Sequence, residues 1–169
     1  MPDDDVESLF TSCLVEHGGI VLKVARAYTL NPDDCQDLVQ EILLQAWRSM
    51  PNFRRECGTS TWLYRVALNT SLGWVRKERR RRTSHEPIFA VDSVAATGPD
   101  SAQQAAEREA VDRLYAAIHQ LPKADAALML LYLDDFTYRQ MADVLGISEN
   151  HVGVKLNRAK KALAELMKD

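Results

Sequence analysis

The chain has 169 residues, 46% of them hydrophobic and 27% charged, with a formal net charge of −3. That apolar content is too high, and that charge too low, for a disordered chain, and no window approaches the ~18 uncharged apolar residues of a membrane span. The acidic start Met1-Pro2-Asp3-Asp4-Asp5 is unlike a secretory signal, and three widely spaced cysteines (Cys13, Cys35, Cys57) do not form a disulfide framework, so a cytoplasmic location is expected.

Apolar positions recur at helical spacing almost throughout. Leu9, Cys13, Ile20, Val21, Val24 and Tyr28 predict a first helical layer broken near Gly18-Gly19. Asn31-Pro32-Asp33-Asp34 is a helix start. Leu38, Val39, Ile42, Leu43, Ala46, Trp47 and Met50 form the apolar face of the next helix, which Pro51 ends because the residue before a proline is pushed out of the helical region. Cap-type residues Gly58-Thr59-Ser60-Thr61 restart a helix that meets no proline before Arg82. Residues 84–104 hold Gly98, Pro87, Pro99 and many small polar residues, and read as a flexible linker between residues 1–83 and 105–169. Beyond it, helices are expected at 101–119, 123–133, 137–145 and 149–167, with breaks at Leu121-Pro122 and Gly146. The expected fold class is all-α: two small helical domains joined by a flexible linker, the C-terminal one containing a helix-turn-helix.

The net charge hides a patchwork. Residues 1–50 carry 3 basic and 9 acidic side chains, net −6, whereas residues 51–84 carry 9 basic and 2 acidic, net +7. The basic block centres on Arg76-Lys77-Glu78-Arg79-Arg80-Arg81-Arg82. Plotted at ~100° per residue, the helix leading into it is apolar around most of its circumference, so it should be buried on most sides. Arg65, Asn69 and Arg76 remain as one narrow polar strip. Such a strip running into a cluster of cations suits a phosphate backbone. The preceding Phe53-Arg54-Arg55-Glu56-Cys57-Gly58-Thr59-Ser60 mixes cations, a glycine and hydroxyls on a loop that can close around an unstacked base. Trp62 and Trp74 are read as core.

Residues 138–157 have the spacing of a helix-turn-helix. Ala142 lies four residues before Gly146, Ile147 and Val152 close a small core, and Ser148 is placed to cap the second helix. That helix keeps Val152, Leu156, Ala159 and Leu163 on one face. The other faces present Asn150, His151, Val154, Lys155 and Arg158 to bases or phosphates of a major groove.

These words, in this order, resemble a known family. Asp33-Asp34-Cys35-Gln36-Asp37-Leu38-Val39-Gln40-Glu41 through Trp47, then Phe53-Arg54, then Thr61-Trp62-Leu63-Tyr64-Arg65-Val66-Ala67-Leu68-Asn69-Thr70 and the arginine cluster, resemble region 2 of the sigma-70 family. Leu121-Pro122, Leu130-Leu131-Tyr132, Thr137-Tyr138, Met141-Ala142, Leu145-Gly146-Ile147-Ser148 and Arg158-Ala159 resemble region 4. The pair resembles the extracytoplasmic-function (ECF) sigma factors. The resemblance implies a protein that binds core RNA polymerase, through its clamp and flap, and directs it to promoter DNA; it also makes an anti-sigma factor a plausible partner. Asp37, Gln40, Glu41, Leu44, Gln45 and Arg48 would form the polymerase-binding face. Phe53, Arg54, Arg55, Arg65, Asn69, Arg76, Lys77, Arg79 and Arg80 would bind the −10 element, and Asn150, His151, Val154, Lys155 and Arg158 the −35 element. Gly153 departs from the pattern, since the family often has a cation there; a helical glycine costs roughly 1 kcal/mol relative to alanine.

A stand-alone helix-turn-helix regulator is the alternative, but it leaves the region 2 words unexplained. For an enzyme the residues offer little: His17, His85, His119 and His151 are scattered, and no phosphate loop, nucleophile elbow or metal-ligand spacing occurs. No cofactor or metal is expected.

Overall fold

The computed structural model describes residues 3–84 and 101–168. Among them the secondary structure is helical: α1 (Asp3–His17), α2 (Gly19–Tyr28), α3 (Pro32–Ser49), a single 3-10 turn at Met50–Asn52, α4 (Thr59–Ser84), α5 (Ala102–Gln120), α6 (Lys123–Leu133), α7 (Tyr138–Leu145) and α8 (Glu149–Leu166). The chain divides into two compact units, one centred on α1–α4 and the other on α5–α8. The all-α expectation holds, with helix ends mostly within a residue of those read from the sequence. Ser84 and residues 102–104, read from the sequence as linker, belong to α4 and α5. A reciprocal capping box makes the second boundary: Ser101 Oγ accepts from the Gln104 amide, and Gln104 Oε1 accepts from the Ser101 amide. The remainder of that segment, 85–100, lies outside the described residues.

In the N-terminal unit α2, α3 and α4 pack around one core. Val24, Ala25 and Tyr28 of α2, Leu38, Ile42 and Ala46 of α3, and Leu63, Tyr64 and Ala67 of α4 are all buried. Burial raises the Tyr28 phenol well above its ordinary value. Asn31 starts α3 as expected: its Oδ1 accepts from the Asp34 amide at 2.8 Å, while its Nδ2 donates to Asp34 Oδ2 at 2.7 Å. At Gly18 the chain bends by 67° between α1 and α2. A Cβ on Gly18 would lie 2.5 Å from the Leu14 carbonyl oxygen, so only glycine fits. No single helix among the described residues is long and apolar enough to cross a membrane; the bent pair α1–α2 is, by length and composition, but α2 buries six residues in this core. Trp47 departs from the core expectation. It is 42% exposed, its indole set edge-on against Phe10 with ring centroids 5.2 Å apart.

In the C-terminal unit α6 is the central helix. Ala126 through Leu131 are all buried, so it is enclosed on every side rather than amphipathic. It ends in a Schellman turn: the Phe136 amide reaches the Leu131 carbonyl and the Asp135 amide that of Tyr132. Asp135 takes the left-handed conformation this turn needs (φ 60°). Thr137 and Gln140 then form a second capping box at the start of α7. Gly146, at φ 67°, turns the chain into α8, where Ser148 Oγ accepts from the His151 amide. Met141, Val152, Leu156 and Ala159 are buried in the core of this unit.

Candidate nucleic-acid interface

The basic loop begins on a fixed anchor. Phe53 is 7% exposed and stacks on Trp62 of α4, centroids 5.1 Å apart and planes inclined by 37°. Phe53 therefore differs from the open, DNA-facing side chain expected of it, since its ring is spent on holding the loop to α4. The residues after it are the open ones. Arg54 and Arg55 are exposed, and Arg55 sits at φ 57°, a left-handed conformation uncommon for a side chain of this kind. This turn brings the chain back into α4 within four residues and displays two guanidinium groups beside its start.

Along α4 the polar strip is present. Asn69 and Arg76 are exposed, and Arg65 is half-buried. Gly73, which sequence reasoning passed over, lies one turn beyond Asn69. A Cβ there would stand 4.0 Å from the Arg76 guanidinium, so Arg76 lies back along the helix over a bare stretch of backbone. A glycine inside a long helix costs about 1 kcal/mol relative to alanine, and that cost was the available signal. Lys77, Arg79 and Arg80 are exposed on the last turns, and Arg81 pairs with Glu78 at 3.2 Å. Buried Ser71 is satisfied within the helix, its Oγ donating to the Ala67 carbonyl at 2.7 Å. Trp62 is core as expected, while Trp74 is half-buried.

On α3, Asp37, Gln40, Leu44 and Arg48 are exposed, and Glu41 and Gln45 are half-buried and joined by a 2.9 Å hydrogen bond. Leu44 at 41% and Trp47 at 42% exposure add apolar surface to this acidic and amide-rich face. Trp47 was missed because its spacing is that of the core face.

In the α7–α8 unit, Asn150, His151, Val154 and Arg158 are exposed, and Lys155 is half-buried. Val154, at 68% exposure, is the most open of the apolar residues here. The Tyr138 ring of α7 lies against α8 at Gly153: a Cβ at 153 would be 3.4 Å from Tyr138 Cε2. Among the described residues no group of three or more His, Cys, Asp and Glu side chains is placed to hold a metal ion.

Residues 14–81 match the family model of Sigma-70 region 2, and residues 112–163 match that of Sigma-70 region 4. The chain is similar to the RNA polymerase sigma factor SigV of Bacillus subtilis, 23% identical across 93% of this chain and 90% of that one. It is 29% identical to the ECF RNA polymerase sigma-E factor of Haemophilus influenzae, across 83% of this chain and 79% of the other. Its fold is similar to that of the sigma factor RpoE of Bartonella quintana, solved with the anti-sigma factor NepR. The TM-score is 0.70 at 21% identity, covering 97% of both chains.

Proposed function

Because the chain belongs to the ECF group of the sigma-70 family, we propose that it binds core RNA polymerase and directs it to promoters, reading a −35 element with α8 and melting a −10 element with α4 and its preceding loop. The observation that carries this reading is the presence of region 2 and region 4, in that order, on one chain. A free helix-turn-helix regulator needs only the second.

Each task has residues suited to it. The α3 face of Asp37, Gln40, Glu41, Leu44, Gln45 and Arg48 takes the polymerase clamp. Acidic and amide groups around an exposed leucine and tryptophan form a protein-binding surface with an apolar centre and a polar rim. Arg54 and Arg55 guide the opened strand toward the loop, which Phe53 holds in place against Trp62. Arg65, Asn69 and Arg76 track that strand along α4, and Lys77, Arg79 and Arg80 neutralise duplex phosphates. Asn150, His151, Val154, Lys155 and Arg158 face the major groove of the upstream element. The factor acts in the cytoplasm, and an anti-sigma factor holds it back, as NepR is bound to RpoE. It acts as a specificity subunit and carries no catalytic centre of its own.

Run-off transcription with purified core polymerase on a genomic promoter library tests the reading. Initiation from a defined set of start sites, all preceded by two shared elements, is expected. Copurification with core polymerase separates this reading from a free DNA-binding regulator. No promoter-specific initiation, with no binding to core, overturns it.

A further inference from the structure

The α8 surface has an unusual feature. Gly153 leaves the helix backbone bare on the flank that also carries Asn150 and Asn157, three and four residues away. The Tyr138 ring of the preceding helix lies across that bare flank, with Cε2 3.4 Å and Cδ2 4.0 Å from where a Cβ would be. A Cβ alone would touch the ring, and any longer side chain at 153 would compete with it for the same space. Tyr138 is nevertheless 43% exposed. Its packing on α8 therefore occupies part of the ring and leaves the rest open, and Asn150, one turn before Gly153 on α8, is itself exposed. Position 138 is held firmly, because it is the first residue of α7, directly after the Thr137–Gln140 capping box.

We propose that Tyr138 is a specificity-determining residue of upstream-element readout, its ring standing in for the side chain that Gly153 lacks and contacting a base pair next to the one met by Asn150. The inference rests on the reading that α8 enters the major groove. The chemistry fits base-edge recognition. An aromatic edge makes apolar contact with a thymine methyl group, and the phenol can donate to a purine N7 or a carbonyl oxygen. Two χ angles and a capped helix start leave the ring little freedom to lose on binding. The glycine, which costs helix stability in isolation, is then what lets the ring sit this close to the groove-facing residues.

The test is promoter selection from a randomised library by polymerase reconstituted with the full chain, comparing wild type, Tyr138→Leu, Tyr138→Phe and Gly153→Lys. Tyr138→Leu should lower base preference at one or two adjacent positions of the upstream element by roughly fivefold to tenfold, leaving the downstream element unchanged. Gly153→Lys, which displaces the ring, should alter preference at the same positions. Tyr138→Phe keeps the seat and should retain any methyl-dependent preference. Circular dichroism checks that each variant folds; should Tyr138→Leu not fold, the Phe and Lys variants decide the matter. Unchanged base preference in all folded variants, or a loss of affinity equal for every sequence, overturns the proposal. Failure of wild type to select any promoter overturns instead the reading on which it rests.

Discussion

Phe53 and Trp62 stack at 5.1 Å with their planes 37° apart, fastening the start of the basic loop to the first turn of α4. Both rings are almost fully buried, at 7% and 8% exposure. Replacing Phe53 by alanine opens a cavity and frees the loop. The N-terminal unit should lose about 3 kcal/mol, read as a lower midpoint in urea denaturation. Phe53→Leu should recover much of that loss. A Phe53→Ala midpoint equal to wild type would contradict the stack as the loop's anchor.

Gly18 and Gly19 adjoin in sequence but make opposite demands. A Cβ on Gly18 meets the Leu14 carbonyl oxygen at 2.5 Å, whereas one on Gly19 meets nothing within 4 Å. Gly18→Ala should destabilise by roughly 1–3 kcal/mol, because backbone must move to admit it. Gly19→Ala, at the first residue of α2, should be neutral or stabilising by up to about 1 kcal/mol. Thermal unfolding of the two variants compares them directly, and equal melting temperatures would refute the assignment of the bend to Gly18.

Burial holds both the Cys13 thiol and the Tyr28 phenol above their ordinary values of 9.0 and 10.0, with Glu16 adding to the effect at Cys13. An acid whose pKa is raised on folding binds its proton more tightly in the folded chain. Its contribution is whole below the ordinary value and is lost as pH climbs through and past it. Stability should therefore be flat from neutral pH to about pH 8.5 and fall above about pH 9. Denaturation midpoints across that range check it, and Cys13→Ala should remove the earlier part of the fall. A midpoint constant to pH 10.5 would show that neither group is held as described.

The helix-turn-helix depends on two hydroxyl caps. Thr137 Oγ1 accepts from the Gln140 amide at 3.2 Å, and Ser148 Oγ accepts from the His151 amide at 3.2 Å. Thr137→Ala and Ser148→Ala should each cost about 1 kcal/mol of C-terminal unit stability. Because Thr137 also positions Tyr138, hydrogen exchange at the start of α7 should speed up in the first variant and not in the second.

Arg158 is exposed on α8 and Lys155 half-buried beside it. A phosphate contact by Arg158 predicts that Arg158→Ala weakens binding to all promoter sequences alike and lowers the salt slope by about one. A base contact predicts instead a loss of roughly 1–3 kcal/mol confined to one position. Titrations of polymerase holding the full chain, at several salt concentrations, distinguish the two. Unchanged affinity in both the Arg158 and Lys155 variants would displace α8 from the groove.

Helix positions were legible in the sequence because their signals are local. Asn31-Pro32, Leu121-Pro122, Gly146 and Ser148 are punctuation that acts over one turn, whereas Met50, before Pro51, keeps helical angles (φ −55°, ψ −42°) and α3 passes into a 3-10 turn there instead of being pushed out of the helical region. The cations of the basic loop and of α4 were equally legible, since charge on a long side chain stays at the surface almost wherever the chain runs. Phe53 and Trp47 were misplaced for a shared reason. Spacing gives the direction a side chain leaves its own helix or loop, but not what stands opposite it. Trp62 stands opposite Phe53 and buries it, while Trp47 meets the edge of Phe10 and remains half open.

By itself the sequence determined an all-helical chain, its division into two helical parts, the family and the cationic residues, because periodicity, caps and motif spacing are properties of neighbours along the chain. Tertiary structure alone decided that Phe53, expected among the −10 contacts, anchors its loop on Trp62, that α6 is enclosed on all sides, and that Tyr138 occupies the flank Gly153 leaves bare. Each of those depends on a close approach between residues of different elements. Packing at van der Waals distance is set by the shapes of both partners, and neither shape is written in the spacing of the other.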